Sequence, residues 1–284
     1  LHRGATLIKG VRFDGSRSVG HVQQAARIHA TRGVDEMIVL DIGATPDRRG
    51  PDTRIVEAIA DGMFSPITIG GGVRSMEQVG QLLAAGADKI AINTAALERP
   101  YLINEITARF GCQAIVVAID ASDGCVMTNH GKTRLDGLPA TTWAQMAEEL
   151  GAGEILLTAV DREGTMLGYD LDLIRSVCDK VGIPVIAHGG CSGYPDMHKA
   201  IQAGASTLML DSQQTSIARL ASDSAFSTET ATGVRSSVSE RRWAVTMMSL
   251  PVSAALAAPA TCAIAVVALK AVMTVTAEIK LTFC

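Results

Sequence analysis

Two short runs of the chain end in the same device. The runs "SPITIGGGVRS" (65–75) and "IPVIAHGGCSG" (183–193) each carry a β-branched stretch into consecutive glycines. Gly71 and Gly72 in the first run and Gly189 and Gly190 in the second stand 118 positions apart, as do Pro66 and Pro184, which open the two stretches. Glycine at the C-terminal end of a strand leaves backbone N–H groups bare. A helix that starts just beyond adds partial positive charge, so such a turn can cradle an anion. Two cradles in one register suit a small substrate with a phosphate at each end; a pair of plain tight turns is the alternative.

Something must hold the two turns apart and facing. From Gly33 onward, short apolar runs alternate with helical patterns. Strands are expected at 35–42, 66–69, 89–92, 114–120, 154–160, 184–187 and 207–210. Helices are expected at 51–63, 75–85, 100–110, 141–150, 171–181 and 195–203, with a further one at 19–32 behind β character at 5–13. Residues 125–135 read as a hairpin turning at "NHG". Seven or eight βα units with continuous apolar strands imply a parallel sheet covered by helices. The same 118-residue step carries Ala85, Gly86 and Ala87 onto Ala203, Gly204 and Ala205, and Gly33 and Glu36 onto Gly151 and Glu154. One register through both halves favours a (β/α)₈ barrel made of two half-barrels over a doubly wound sheet, and places the glycine turns on opposite sides of one rim.

The bulk properties narrow the partners. A net charge of −4 over 284 residues lacks the basic excess of a nucleic-acid binder. Six cysteines, with no Cys-x-x-Cys pair, fit neither a zinc site nor a disulfide framework and point to a reducing, cytoplasmic setting. His188 and His198 lack a plausible third ligand, so no metal is expected. The chain opens at Leu1 without a Met, and missing N-terminal residues are expected.

The runs "LIKGVRF", "VDEMIVLDI", "PITIGGGVRS", "AGADKIAINTAA", "RFGCQAIVVAID", "GAGEILLTAVDREGT", "GYDLDLI" and "IPVIAHGG" occur in this order. Together they resemble the cyclase-subunit family of imidazole glycerol phosphate synthase. The resemblance implies a barrel that takes ammonia from a glutaminase partner and no organic cofactor. The substrate it implies is a bis-phosphorylated phosphoribulosyl-formimino aminoimidazole carboxamide nucleotide. The products are imidazole glycerol phosphate and aminoimidazole carboxamide ribonucleotide. It implies Asp120 as a catalytic acid/base, with Gly72, Asn93 and Thr94 at one phosphate site and Gly164 and Gly190 at the other. Lys9 matches a lysine of the first loop, and Asp41 and Asp161 match rim aspartates. Glu36, Lys89 and Glu154, near the starts of alternate strands, match a charged ring that gates ammonia entry at the closed end.

Two departures stand beside these matches. The family's second catalytic aspartate ends strand one; counting back from Lys9 reaches Leu1, and the repeat reaches His2. This start is similar to that of a paralogous group that aminates surface sugars, so another acceptor, or a barrel without turnover, stays open. The expected boundaries are a barrel at 1–212, lacking a complete first strand, and an atypical tail at 213–284. Asp211 places a negative charge where the second cradle should continue, and the Ser/Thr-rich stretch behind it reads as loop or disorder. The uncharged run 243–269 is long enough for a membrane span, but its alanines, Pro251 and Pro259 argue against one.

Overall fold

A computed structural model describes residues 1–128, 131–210 and 266–270. Eight strands close into a ring. In chain order they are β4 (Glu36–Leu40), β5 (Ile67–Gly70), β6 (Lys89–Ile92), β7 (Ile115–Ser122), β10 (Glu154–Ala159), β11 (Val185–His188), β12 (Thr207–Leu210) and β13 (Val266–Lys270). The neighbours from β4 to β7, from β7 to β10 and from β10 to β12 run parallel. β13 lies between β12 and β4 and is antiparallel to both.

Ahead of the ring, β1 (His2–Arg3), β2 (Thr6–Val11) and β3 (Asp14–His21) form a small antiparallel sheet. A second hairpin, β8 (Cys125–Thr128) and β9 (Thr133–Pro139), grows from the end of β7. The helices are α1 (Val22–Thr31), α2 (Thr53–Ala60), α3 (Met76–Ala84), α4 (Thr94–Glu98), α5 (Tyr101–Phe110), α6 (Ala140–Glu149), α7 (Leu171–Cys178) and α8 (Tyr194–Gln202). Among the described residues no helix is long and apolar enough to cross a membrane.

The half-barrel repeat is present element by element. A step of 118 takes α1 onto α6, α2 onto α7, β5 onto β11, α3 onto α8 and β6 onto β12, first and last residues included. The packing repeats with it. A Cβ on Gly86 would meet the Ala60 Cβ at 2.7 Å, and one on Gly204 would meet the Cys178 Cβ at 2.8 Å; Ala60 and Cys178 are themselves 118 apart. Each of these glycines seats a helix end against its neighbour, with φ of +105° and +110°, values an L side chain rarely adopts.

Alternation along the strands makes two cores. Outward residues such as Met37, Val39, Ile115, Val117, Ile155 and Leu157 pack under the helices. Inward residues Ile38, Ala91, Val116, Ala118, Leu156, Ile186 and Met209 fill the barrel itself, a packed interior rather than a pore. Each large apolar side chain so buried contributes about 1.5–3 kcal/mol.

Helix starts follow their caps. Asp52 accepts from the Arg54 N–H, Ser75 from that of Gln78, and Asp170 from that of Leu173. Pro51, expected inside the first turn of α2, therefore lies before the cap. The helix expected at 19–32 starts only at Val22, because Gly20 and His21 pair with Leu7 and Thr6 in the β2–β3 ladder. Of the tail, Val266–Lys270 sits in the sheet. The expected loop or disorder behind Leu210, Asp211, most of the uncharged run and the "NH" of the hairpin turn lie outside the described residues.

Candidate active site

Parallel strands in this ring share one C-terminal end, where βα loops gather. β5 and β11 are four steps apart around the ring, and so stand opposite each other. Gly71 and Gly72 follow β5; Gly189 and Gly190 follow β11. Their φ angles are +104° and +73°, and +102° and +92°. A side chain has no room here. A Cβ on Gly71 would strike the Asp41 carbonyl oxygen, and one on Gly189 would lie 2.7 Å from that of Ala159, the residue 118 positions beyond Asp41. A Cβ on Gly190 would strike the Gly168 carbonyl oxygen, and one on Gly72 would meet that of Arg49 at 2.6 Å. The two turns are one structure built twice, each pressed onto the loop of the preceding strand.

Between them, at the end of β7, is Asp120. The pleat that sends Val116 and Ala118 inward sends its carboxyl into the mouth. Asn93 Nδ2 donates to Asp120 Oδ2 at 2.8 Å, and the Thr158 hydroxyl is a further hydrogen-bond partner. Burial pushes the carboxyl up to about 7; the bonds from Asn93 and Thr158 oppose this, and the charge of Glu163 adds to it. A carboxyl with that value holds or releases a proton near neutrality, as general acid/base work requires.

The first hairpin reaches over this mouth. The Arg12 N–H donates to the Glu163 carbonyl at 3.0 Å, and a Cβ on Gly164 would lie 2.6 Å from the Gly10 carbonyl oxygen. Phe13 packs close to Gly131 of the second hairpin, at 2.8 Å from a Cβ there. Lys9 belongs to β2 and pairs with Arg17; Asn93 stands just ahead of α4 without a side-chain cap bond, and Thr94 opens it. Asp161 is exposed on the loop after β10.

Asp41 stands just past the end of β4, beneath the first glycine turn. Its side chain is 5% exposed, and the Arg49 guanidinium grips it at 2.7 and 2.9 Å. The Gly43 N–H also donates to it, at 2.9 Å. Asp41 thus folds the loop on which the first glycine turn rests.

His2, at the repeat position of Asp120, sits away from the mouth. Its backbone pairs beside Asp41, and it lines a space beside α2 with Val39, Asp41, Asp52, Ile55, Val56 and Ile59. Its Nδ1 is 2.7 Å from the Gly4 carbonyl; a carbonyl only accepts, so Nδ1 carries the proton. Burial holds the imidazole below its ordinary value, against the pull of Asp41.

At the opposite end of the barrel, the first inward layer is Glu36, Lys89, Glu154 and Thr207, one from each alternate strand. Lys89 Nζ reaches Glu36 Oε1 and Oε2 at 3.1 and 3.2 Å and Glu154 Oε1 at 2.7 Å. Burial works to lower the ammonium; hydrogen bonds and attraction from Glu154, then Glu36, outweigh it and the net shift is upward. Among the described residues no group of three or more His, Cys, Asp or Glu is disposed to hold a metal ion.

Residues 1–212 match the family model described as histidine biosynthesis protein. Among curated proteins the chain is similar to the imidazole glycerol phosphate synthase subunit HisF of Corynebacterium diphtheriae, 43% identical over 217 residues, covering 73% of this chain and 84% of that one. It is also similar to the protein of that name from Thermobifida fusca, 42% identical over 215 residues, covering 72% and 84%.

Proposed function

The chain belongs to the histidine-biosynthesis protein family, and on that premise we propose that it is the cyclase subunit of an imidazole glycerol phosphate synthase, fed with ammonia by a glutaminase partner. A bis-phosphorylated nucleotide lies across the mouth with one phosphate at Gly71, Gly72, Asn93 and Thr94 and the other at Gly164, Gly189 and Gly190. Asp161 and Lys9 flank it from the rim and from the first hairpin. The observation that carries this reading is Asp120. It stands between two opposed, duplicated glycine turns, and its carboxyl is pushed to about 7. Ammonia addition, ring closure and release of the second product all require protons to leave and join nitrogen and oxygen, and Asp120 handles them.

Ammonia enters at the other end, where Glu36, Lys89 and Glu154 close the barrel floor, and the glutaminase docks on that face. The seat of His2 beside α2 favours a second reading, in which the mouth carries fewer acid/base groups and the acceptor is another phosphorylated sugar derivative. The purified chain, given the bis-phosphorylated nucleotide and an ammonium salt, should form imidazole glycerol phosphate. Turnover confined to a different acceptor would replace the first reading by the second.

A further inference from the structure

The mouth contains a hydrogen-bond chain that the reading above leaves unused. Asp120, Thr158 and His188 stand on β7, β10 and β11, three successive strands of the ring. The Thr158 hydroxyl bonds to Asp120 and lies 3.4 Å from His188 Nδ1. A hydroxyl has one proton to give, so the state of Asp120 dictates the direction of the whole chain. With Asp120 ionised, Thr158 donates to the carboxylate and His188 Nδ1–H donates to Thr158. With Asp120 protonated, its O–H donates to Thr158, and Thr158 donates to a bare Nδ1.

We infer that His188 is the second proton-holding group of this site, exchanging a proton with Asp120 through the Thr158 hydroxyl. The proton count closes. The Asp120 O–H bond breaks as a new O–H forms on Thr158; the original Thr158 O–H breaks as N–H forms on His188. A neutral carboxyl and a neutral imidazole become a carboxylate and an imidazolium, with Thr158 unchanged. Glu163, on the loop after β10, is the further charge acting on Asp120, and every variant below retains it. The inference rests on the proposed acid/base role of Asp120. It adds a place for a second proton, which a single carboxyl lacks.

The test uses the full chain with ammonium as nitrogen donor. Thr158→Val removes the hydroxyl and keeps the shape. His188→Asn keeps a donor near the Nδ1 position but takes up no proton. His188→Leu removes both. All three should lower kcat about 10-fold or more, the low end of acid/base effects, while KM stays within about threefold. The Thr158→Val/His188→Leu double variant should be no slower than its slower parent, since both cut one chain. Full kcat in Thr158→Val, or in His188→Asn beside a slow His188→Leu, would overturn the relay; the latter pattern would leave the imidazole a mere donor. A wild-type chain that turns over nothing refutes the cyclase reading instead. The relay is then read from the NMR titration of the Asp120 carboxyl carbon, which should be two-step in the wild type and single-step in His188→Leu. Identical single-step curves would overturn it.

Discussion

Lys89 and Glu154 belong to different halves of the repeat, yet Lys89 Nζ and Glu154 Oε1 lie 2.7 Å apart on the barrel floor. The bond ties β6 to β10 across β7, and Glu36, one repeat before Glu154, takes the other side of the same ammonium. The floor is closed by a partly buried cation between two carboxylates. Removing either kind of partner leaves charge uncompensated.

Replacing Lys89 by Met should therefore uncouple the two reactions. If the proposed gate holds, product formed per glutamine hydrolysed should fall about 10-fold or more, while turnover with free ammonium, able to reach the site from the mouth, should change by less than about threefold. Stability should fall by about 1–3 kcal/mol, less than the usual effect of breaking a fully buried pair, because Lys89 and Glu154 are only partly buried. Parallel assays with glutamine and ammonium, corrected for folded fraction by circular dichroism, decide it. Equal losses in both would make Lys89 a fold residue only.

Asp120→Asn should trade activity for stability. Loss of the proposed proton carrier should cost about 10²–10⁴-fold in kcat. The raised carboxyl also makes the sign of the stability change definite. Between an unfolded value near 4 and the folded value of about 7, the folded state holds the extra proton, so stability falls as pH rises through that window and stays low above it. The variant escapes that loss. Chemical denaturation should show it more stable than wild type by an amount on the order of 1–4 kcal/mol at pH 8, with the gain fading toward pH 4.

His29 slopes the other way. It is fully buried in α1, and burial, with Arg32 next, lowers its imidazole to about 4. Between that value and an unfolded value near 6.5 the unfolded chain binds the extra proton, so stability falls as pH drops through the window. His29→Gln should flatten the acid limb of a Tm-against-pH curve between about 4 and 6.5. An unchanged limb would assign the acid sensitivity to other groups.

Gly72→Ala and Gly190→Ala should fail in matching ways. Both positions have positive φ, and the added methyl meets backbone: the Arg49 carbonyl oxygen in one case and that of Gly168 in the other. Each should cost about 1–3 kcal/mol and raise KM more than it lowers kcat, because the turn proposed to receive the phosphate must shift. A KM effect at only one of the two would mean that one turn holds no phosphate.

The repeat was legible because glycine is hard to replace where φ is positive and backbones touch. Gly71, Gly86, Gly189 and Gly204 therefore print the packing of both halves onto the chain. Helix limits were less so: whether Pro51 or Asp52 opens α2 depends on which side chain finds a free N–H. The grip of Arg49 on Asp41 and the line from Asp120 through Thr158 to His188 were not legible. Each joins residues by where neighbouring elements aim them, and no spacing records that. Nor does any local pattern tell that Val266–Lys270 pairs with β4 and β12; this is a long-range match of two strand edges.

That last pairing bears on the order in which the molecule assembles. Every parallel neighbour pair in the wall is joined through its own helix and loop, so β4 to β12 can zip up through contacts close in sequence. The seam at β13 differs. Ala268 must find Glu36 from the far end of the chain, and the entropy of closing so long a loop falls on a single short strand. The ring should thus close last and open first. In native-state hydrogen exchange, the amides along this seam should exchange ahead of those of β5, β7 and β10, making it the place where the barrel breathes.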